Sequence, residues 1–462
     1  MRKKIYFGFA AISCLLFLQG CAENPREDIV VNKNEGTLEK AITKENEEET
    51  PRKISERYED DFLIDAEQIE VSVDAEIQSA DGALPVVRVK PHTITGEEAE
   101  GYADVLFEGQ AAYEPEQNTK AEIEEKILEL KERLSDQDAL LAEYGTWEDA
   151  EQAAEQLEKE IAGYEAEYES APEKAEKKKC EWKFHSYEYY SEFPLPSAGE
   201  AGYEGLEKTN QLIAKTDGAD GFTRILDITN RDEEDYRLNY LSCYYEKEED
   251  FVSSLPDREI TKDEAVEIGD QLVEKLGFSD WKFYDYTVVK HTEQVFSLFY
   301  TPAYEGVQTL RGPMINVKSD DLYAANYYYS EIRIGITNGS VTSVELVSPM
   351  DVVKIENPDV ETLPFEEIYQ AFKNQMQAQF TKTTIIDPEI PGIDEMEMEI
   401  RITEIRQGLF RIKEKNNQDD FLVVPVWSFY GTAVVDDSTW TEQEFVMMNA
   451  LDGSVIDTNL GY

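Results

Sequence analysis

Apolar and polar residues alternate over Ile69, Val71, Val73, Ala75 and Ile77, the period-two signature of a strand with one buried face. Order is expected from near Phe62, and Asp81-Gly82 marks a turn into a second strand around Val86, Val87 and Val89. The period then changes. Thr95 and Glu98 form a capping box, Ile94 and Ala99 a hydrophobic staple, and a helix is predicted through about Phe107. Ile260-Thr261-Lys262-Asp263-Glu264-Ala265 repeats that helix start, and the second helix runs to about Leu276, where Gly277 is a suitable C-cap.

Between the two copies, residues 119–178 are mostly Ala, Glu, Lys, Leu and Gln. Ile123, Ile127, Leu130 and Leu134 recur at helical spacing, as do Leu157, Ile161, Tyr164 and Tyr168. Gly145-Thr146 interrupts the run, so the pattern predicts an antiparallel helical hairpin or short coiled coil. Strands are expected at 182–190, 222–228 and 236–245, then at 282–290 and 295–301. Asn338-Gly339 between Ile332, Ile334, Ile336 and Val341, Val344, Leu346 is a hairpin signal. A third helix is predicted over about Phe365 to Phe380, and strands over 396–402, Leu422 to Tyr430 and Glu444 to Ala450, closing on an Asp452-Gly453 hairpin. In Leu422 to Tyr430, Val424 and Val426 share one face and Trp427 and Phe429 the other, as in a central, covered strand.

The fold class expected is α+β: repeated helix plus antiparallel-sheet modules with an inserted antiparallel helical hairpin. The expected division is 62–250 for an N-terminal α+β domain, with the hairpin inserted at about 119–178, and 251–462 for a C-terminal one. Hydrophobic residues at 41% are enough to build such cores.

The first sixty residues differ in kind. Arg2, Lys3 and Lys4 precede an apolar run from Ile5 to Leu18, roughly 21 Å as helix and short for a bilayer, which reads as a signal peptide over residues 1–20. Residues 21–61 are polar and acidic with one aromatic, Tyr58, and are expected to form a disordered tether. The net charge of −55 repels nucleic acid, which is excluded as a partner. Cys180 and Cys243 lie in Tyr-rich segments read as strands. Outside the cytoplasm they could pair, but one pair in so long a chain is no disulfide framework, and two buried free thiols are preferred.

Leu18-Gln19-Gly20-Cys21 resembles the bacterial lipobox, with an apolar residue at −3, a small one at −1 and the cysteine. The resemblance implies lipidation of Cys21, anchoring to the extracytoplasmic face of a membrane, and membrane association through two acyl chains, where a single chain gives only marginal binding. Thr261 to Ala265, together with Asn449-Ala450-Leu451-Asp452-Gly453-Ser454-Val455-Ile456, resembles PepSY-like modules. The arrangement is also similar to the tandem modules of the YycH/YycI regulators of a Gram-positive histidine kinase, and the whole to uncharacterised clostridial surface lipoproteins. What these resemblances imply is extracytoplasmic binding or inhibition of an envelope protein or peptide, with no catalytic residues to carry over.

The residues themselves point the same way. His92, His185 and His291 are isolated, without the spacing of a zinc motif, and there is no nucleophile elbow or phosphate loop. The acidic pairs Asp320-Asp321, Asp419-Asp420 and Asp436-Asp437 lack calcium-loop spacing and read as solvated turns. No catalytic residue, metal site or cofactor is expected. Tyrosine clusters at Tyr187, Tyr189, Tyr190, at Tyr236, Tyr240, Tyr244, Tyr245, and at Tyr323, Tyr327, Tyr328, Tyr329. These either pack the sheets or present aromatic faces to a cell-wall glycan or peptide.

Overall fold

A computed structural model describes residues 37–44, 46, 54–64, 69–80, 82–189, 207–231, 239–290, 293–312, 328–379, 398–413, 420–435, 438–439 and 443–458. The chain begins with α1 (Thr37–Ile42), β1 (Arg57–Ile64), β2 (Ile69–Gln78), β3 (Val86–Pro91) and α2 (Gly96–Leu106). Three helices follow, α3 (Lys120–Ser135), α4 (Gln137–Tyr144) and α5 (Trp147–Tyr168). Then come β4 (His185–Tyr189), β5 (Glu207–Asp217), β6 (Thr223–Arg231), β7 (Asn239–Tyr245), α6 (Glu248–Ser254) and α7 (Lys262–Lys275). The middle closes with β8 (Trp281–Lys290), β9 (Gln294–Tyr304), β10 (Val307–Gln308), β11 (Glu331–Thr337) and β12 (Ser340–Val347). Last are β13 (Met350–Asn357), α8 (Phe365–Gln379), β14 (Met398–Lys413), β15 (Phe421–Val435), β16 (Ser438–Thr439), β17 (Gln443–Asn449) and β18 (Val455–Ile456). The fold is α+β, as the periodicities require.

The first sheet is antiparallel, in the order β4-β5-β6-β7-β12-β11-β9, with β8 along the far side of β9 and β10 pairing the end of β9 on the side of β11. It consists of two similar halves. Helix α2 with β4–β7 makes one, α7 with β8, β9, β11 and β12 makes the other, and they meet where β7 pairs antiparallel with β12. The two matching helix starts are therefore the two halves of one layer. Thr95 with Glu98, and Thr261 with Glu264, both close the reciprocal capping box. Such a cap stabilises a helix by about 1 kcal/mol. The residue before each cap is held by an amide side chain. Ile94 N–H donates to Asn230 Oδ1 at 3.1 Å and its carbonyl accepts from Asn230 Nδ2 at 2.8 Å. Gln294 does the same for Ile260, at 2.9 and 3.1 Å.

Both helices cover the sheet face that carries Leu226, Ile228, Leu241, Leu298, Ile332, Ile334, Val344 and Leu346. They lie close because small residues face inward: Ala99 and Ala103 on α2, Ala265 and Gly269 on α7. A Cβ at Gly269 would stand 2.3 Å from the Tyr300 hydroxyl.

The second sheet runs β1-β2-β14-β15-β17-β18, with β3 also paired to β15 and β13 to β3. Its β2·β14 pair is parallel and its other pairs are antiparallel. Helix α8 buries Phe365, Ile368, Tyr369, Phe372 and Met376 against Val71, Val73, Ile402, Trp427 and Phe429. Val424 and Val426 belong to the core on the other face, as their alternation with Trp427 and Phe429 predicts. That second core also takes in Val307, Leu310 and Tyr329 from segments beside the first sheet, so it joins the two sheets.

Three expectations need correction. Each sheet draws strands from both sides of residue 250, so a boundary at 250/251 cuts through both. Strand pairing between residues hundreds apart overrides adjacency in sequence. The two segments that carry the PepSY resemblance also separate: Thr261 to Ala265 opens a helix of the first sheet, and β17–β18 lie in the second. Finally, the segment expected as tether is ordered in part. Ile42 of α1 is buried in the second core, and Asn357 Nδ2 donates to the carbonyls of Ile42 and Lys44 at 2.8 and 3.0 Å. One short apolar helix turn amid charges is too small a signal to outweigh the surrounding composition.

The terminal turn behaves as the Asp-Gly pair requires. Gly453 has φ +70, and an added Cβ would lie 3.3 Å from Leu363 Cδ1. Gly453→Val is expected to lower stability by about 1–3 kcal/mol, measured by urea unfolding. An unchanged midpoint would show that the turn adapts.

Candidate functional site: the helical arm and the open sheet face

Residues 119–178 form an arm that is a small unit in itself. Thr119 and Glu122 make a third capping box at the start of α3, and Asp136 caps α4 through Ala139 N–H at 3.0 Å. Antiparallel α5 is 22 residues long, about 33 Å. Leu140, Ala150 and Leu157, with Leu130, Leu134 and Ala154, give the arm its own cluster. At its root Tyr113 bridges Lys179 and Lys215, Cys180 N–H donates to Ala112 O at 3.0 Å, and Tyr168 OH donates to Glu124 at 2.5 Å. At its tip Gly145 takes φ +82 and Trp147 is 64% exposed. An indole so exposed at the end of a helical hairpin adds little to folding.

The root carries a feature that the sequence reading passed over. Lys174, Lys177, Lys178, Lys179 and Lys183 fall within ten residues of a strongly acidic chain. Beside them is a cleft of about 240 Å³ lined by residues including Lys178, Cys180, Trp182, His185 and Gln211. Trp182 sits at φ +55, which a large side chain rarely adopts, with its carbonyl against the start of α2: a Cβ at Gly96 would be 2.1 Å from that oxygen.

The first sheet's other face is polar and aromatic. Strand register puts Gln211, Thr229 and Tyr240 in one row, Ile213, Asp227, Ser242, Glu345 and Arg333 in the next, and Lys215, Ile225, Tyr244 and Ser343 in a third. Gln211 Nε2 donates to both Asp227 oxygens at 2.9 and 3.0 Å, while burial raises the Asp227 carboxyl above the usual range. Arg333 pairs with Glu345 at 3.2 Å and with buried Glu331. Burial and Glu345 push the Tyr240 hydroxyl well up, and Tyr244 is 38% exposed.

The other singled-out residues are dispersed. Cys21 lies outside the described residues, as do His291, Tyr190, Tyr236, Tyr323, Tyr327, Asp320-Asp321, Asp419 and Asp436-Asp437. Cys180 and Cys243 are free and buried in the same core, and burial pushes the Cys243 thiol up to about 12. Tyr187 and Tyr189 are on β4, Tyr245 stacks on Phe251 at 3.6 Å, and Tyr329 packs on Phe410 at 4.5 Å. His185 opens β4, whereas His92 sits between two carboxylates. Among the described residues no three His, Cys, Asp or Glu side chains converge as a metal site, and no helix is long and apolar enough to cross a membrane.

A polar cluster also bridges the sheets. Arg406 on β14 donates to Glu404 at 2.7 Å and to the Tyr284 hydroxyl of β8 at 2.9 Å, and Tyr284 lies 3.5 Å from the Tyr430 hydroxyl of β15. Beside Tyr430, partly buried Glu444 of β17 accepts from Ser428 Oγ. Burial raises the Glu444 carboxyl to about 7, against the hydroxyls of Ser428, Tyr430 and Thr458 and the charge of Arg406, which pull it down.

No protein-family profile matches the chain, and no curated protein matches it significantly. A solved structure of an uncharacterised protein from Eubacterium rectale aligns over 87% of this chain and 95% of that one, at 11% identity and a TM-score of 0.38. That likeness is too slight to carry a fold or a role across.

Proposed function

We propose that this is a non-enzymatic lipoprotein, anchored through lipidated Cys21 to the extracytoplasmic face of the membrane, that engages a protein or peptide partner of the cell envelope. The observation that supports it is the arm: a helical lever of about 33 Å with its own small core, presenting exposed Trp147 at its tip. Aromatic anchors of this kind supply much of the affinity in protein interfaces. Capture from detergent-solubilised membranes, with the unlipidated chain from residue 22 onward as bait, tests the reading. The expected result is recovery of one envelope protein, lost when residues 119–178 are replaced by a Gly/Ser linker and weakened at least about tenfold by Trp147→Ala. The linker variant should still unfold cooperatively, because the arm's cluster is separate from the cores. Equal capture by the linker variant would remove the arm from the function. In cells, Cys21→Ala should abolish lipid labelling; membrane retention after signal removal would refute the anchor.

A second reading rests on the open sheet face. Tyr244, Tyr240, Asp227 and Gln211 together offer the aromatic surface and hydrogen-bonding groups that a cell-wall glycan requires. Retention on purified peptidoglycan, reduced by Tyr244→Ala and unaffected by loss of the arm, would favour it over the first.

A further inference from the structure

The chain passes between the sheets twice, from β3 into α2 and from β12 back into β13. The two passages lie side by side: Met350 pairs with Pro91, and His92 N–H donates to Pro349 O at 2.9 Å. Asn239 of β7 ties them to the first sheet, since its side-chain amide donates to His92 O and its backbone carbonyl accepts from Ser348 N–H at 2.8 Å. Ser348, between the sheets, has φ +45, a conformation that residues with a Cβ adopt infrequently. The segment has the features of a hinge: short, two-stranded and conformationally strained.

We propose that His92 is a proton-operated pin across this hinge, locking α2 to β13 when the imidazole is charged and releasing β13 when it is neutral. Its Nε2 lies 3.0 Å from Glu98 Oε1 on α2, and its Nδ1 lies 2.9 Å from Asp351 Oδ1 on β13. Only the imidazolium can donate to both carboxylates. The neutral ring keeps one N–H and turns a lone pair toward the other carboxylate, which repels it. Glu98 is not the one to leave, because it also accepts from Thr95 N–H at 2.8 Å and Thr95 Oγ1 at 2.7 Å. Asp351, with a side chain 46% exposed, is freer, so the contact that breaks is the one that spans the hinge. Among the described residues, the charged groups that contact the ring are Glu98 from α2 and Asp351 from β13, and Lys90 of β3 stands opposite Asp351 in register. β7 offers the neutral Asn239, and the β12–β13 turn offers Ser348. The ring is 21% exposed, enough for proton exchange with water. The Leu310–Leu409 bond and the Tyr284–Arg406 contact also join the sheets, so release loosens the hinge rather than separating the layers.

Amide hydrogen exchange on the unlipidated chain from residue 22 onward, which keeps α1 in its core, corrected for intrinsic rates at pH 5.5 and pH 8, tests this. In the wild type, protection of the His92 and Ser348 amides is expected to fall at least about tenfold at the higher pH, the cost of one charge-assisted bond. His92→Gln cannot titrate and should abolish the step. Asp351→Asn, at an exposed position that does not threaten folding, should abolish it as well. A wild-type protein with equal protection at both pH values overturns the proposal, as does either variant that keeps the step.

Discussion

Glu444→Gln is expected to remove a loss of stability that the wild-type protein suffers as pH rises from about 4.5 to 7. The carboxyl sits near 7 in the folded protein and near its ordinary value when unfolded, because burial disfavours its charge. A group whose folded value is raised contributes stability fully below the unfolded value and loses it as pH climbs through the folded one. The interval corresponds to about 3 kcal/mol, reached by pH 8. Other carboxylates run the opposite way: Asp60, Glu98 and Glu356 are held below the usual range, so the wild-type curve alone mixes both signs. The difference between Glu444→Gln and wild type isolates this group. It should be near zero at pH 4 and favour the variant at pH 8. A difference that does not change with pH would place the carboxylate in contact with water.

The largest loss of stability is expected from Phe372→Ala, about 3–5 kcal/mol by denaturant unfolding. Phe372 is fully buried on α8 and stacks on Phe429 at 4.0 Å with the rings 7° from parallel, while Phe62 meets it edge-on at 6.1 Å. Truncation removes contacts from α8, β15 and β1 together. Phe372 lies mid-way along the buried face of α8, between Ile368 and Met376, so the cavity cannot close without moving the helix. Phe372→Leu should lose much less, since volume is largely kept. A loss under about 1 kcal/mol for Phe372→Ala would mean that α8 is loosely seated.

What could be read from the sequence was whatever is encoded within a few residues. The boxes Thr95–Glu98 and Thr261–Glu264 are contacts between residues three apart, and the Asn338-Gly339 turn has both residues at positive φ, 50° and 85°. β2 was legible because one face is buried throughout. β13 was not: an edge strand with Val352, Val353 and Ile355 exposed and two register shifts shows no alternation. Helix α4 was missed as a separate element because the Asp136 cap interrupts a periodic run without a glycine or proline. The arm of the candidate site was legible from its composition. The surroundings of His92 were not, since Asp351 is 259 residues away and no local pattern couples them.

The parallel pair β2·β14 has a consequence for how the molecule comes into being. Val71 lies beside Ile400, and Asp60 accepts from Lys373 across 313 residues, so the second sheet cannot close until nearly the whole chain has emerged. The first sheet uses only residues between its two hinge strands and can mature earlier. For that interval β1 and β2 stand with a hydrophobic face uncovered and a ladder unsatisfied. Slow, long-range closure of this kind leaves a window for misassociation, one that widens if synthesis pauses late. The acidic residues that alternate with the apolar ones in these two strands, Glu59, Asp61, Glu70, Asp74 and Glu76, keep such half-made chains repelling one another until their partner arrives.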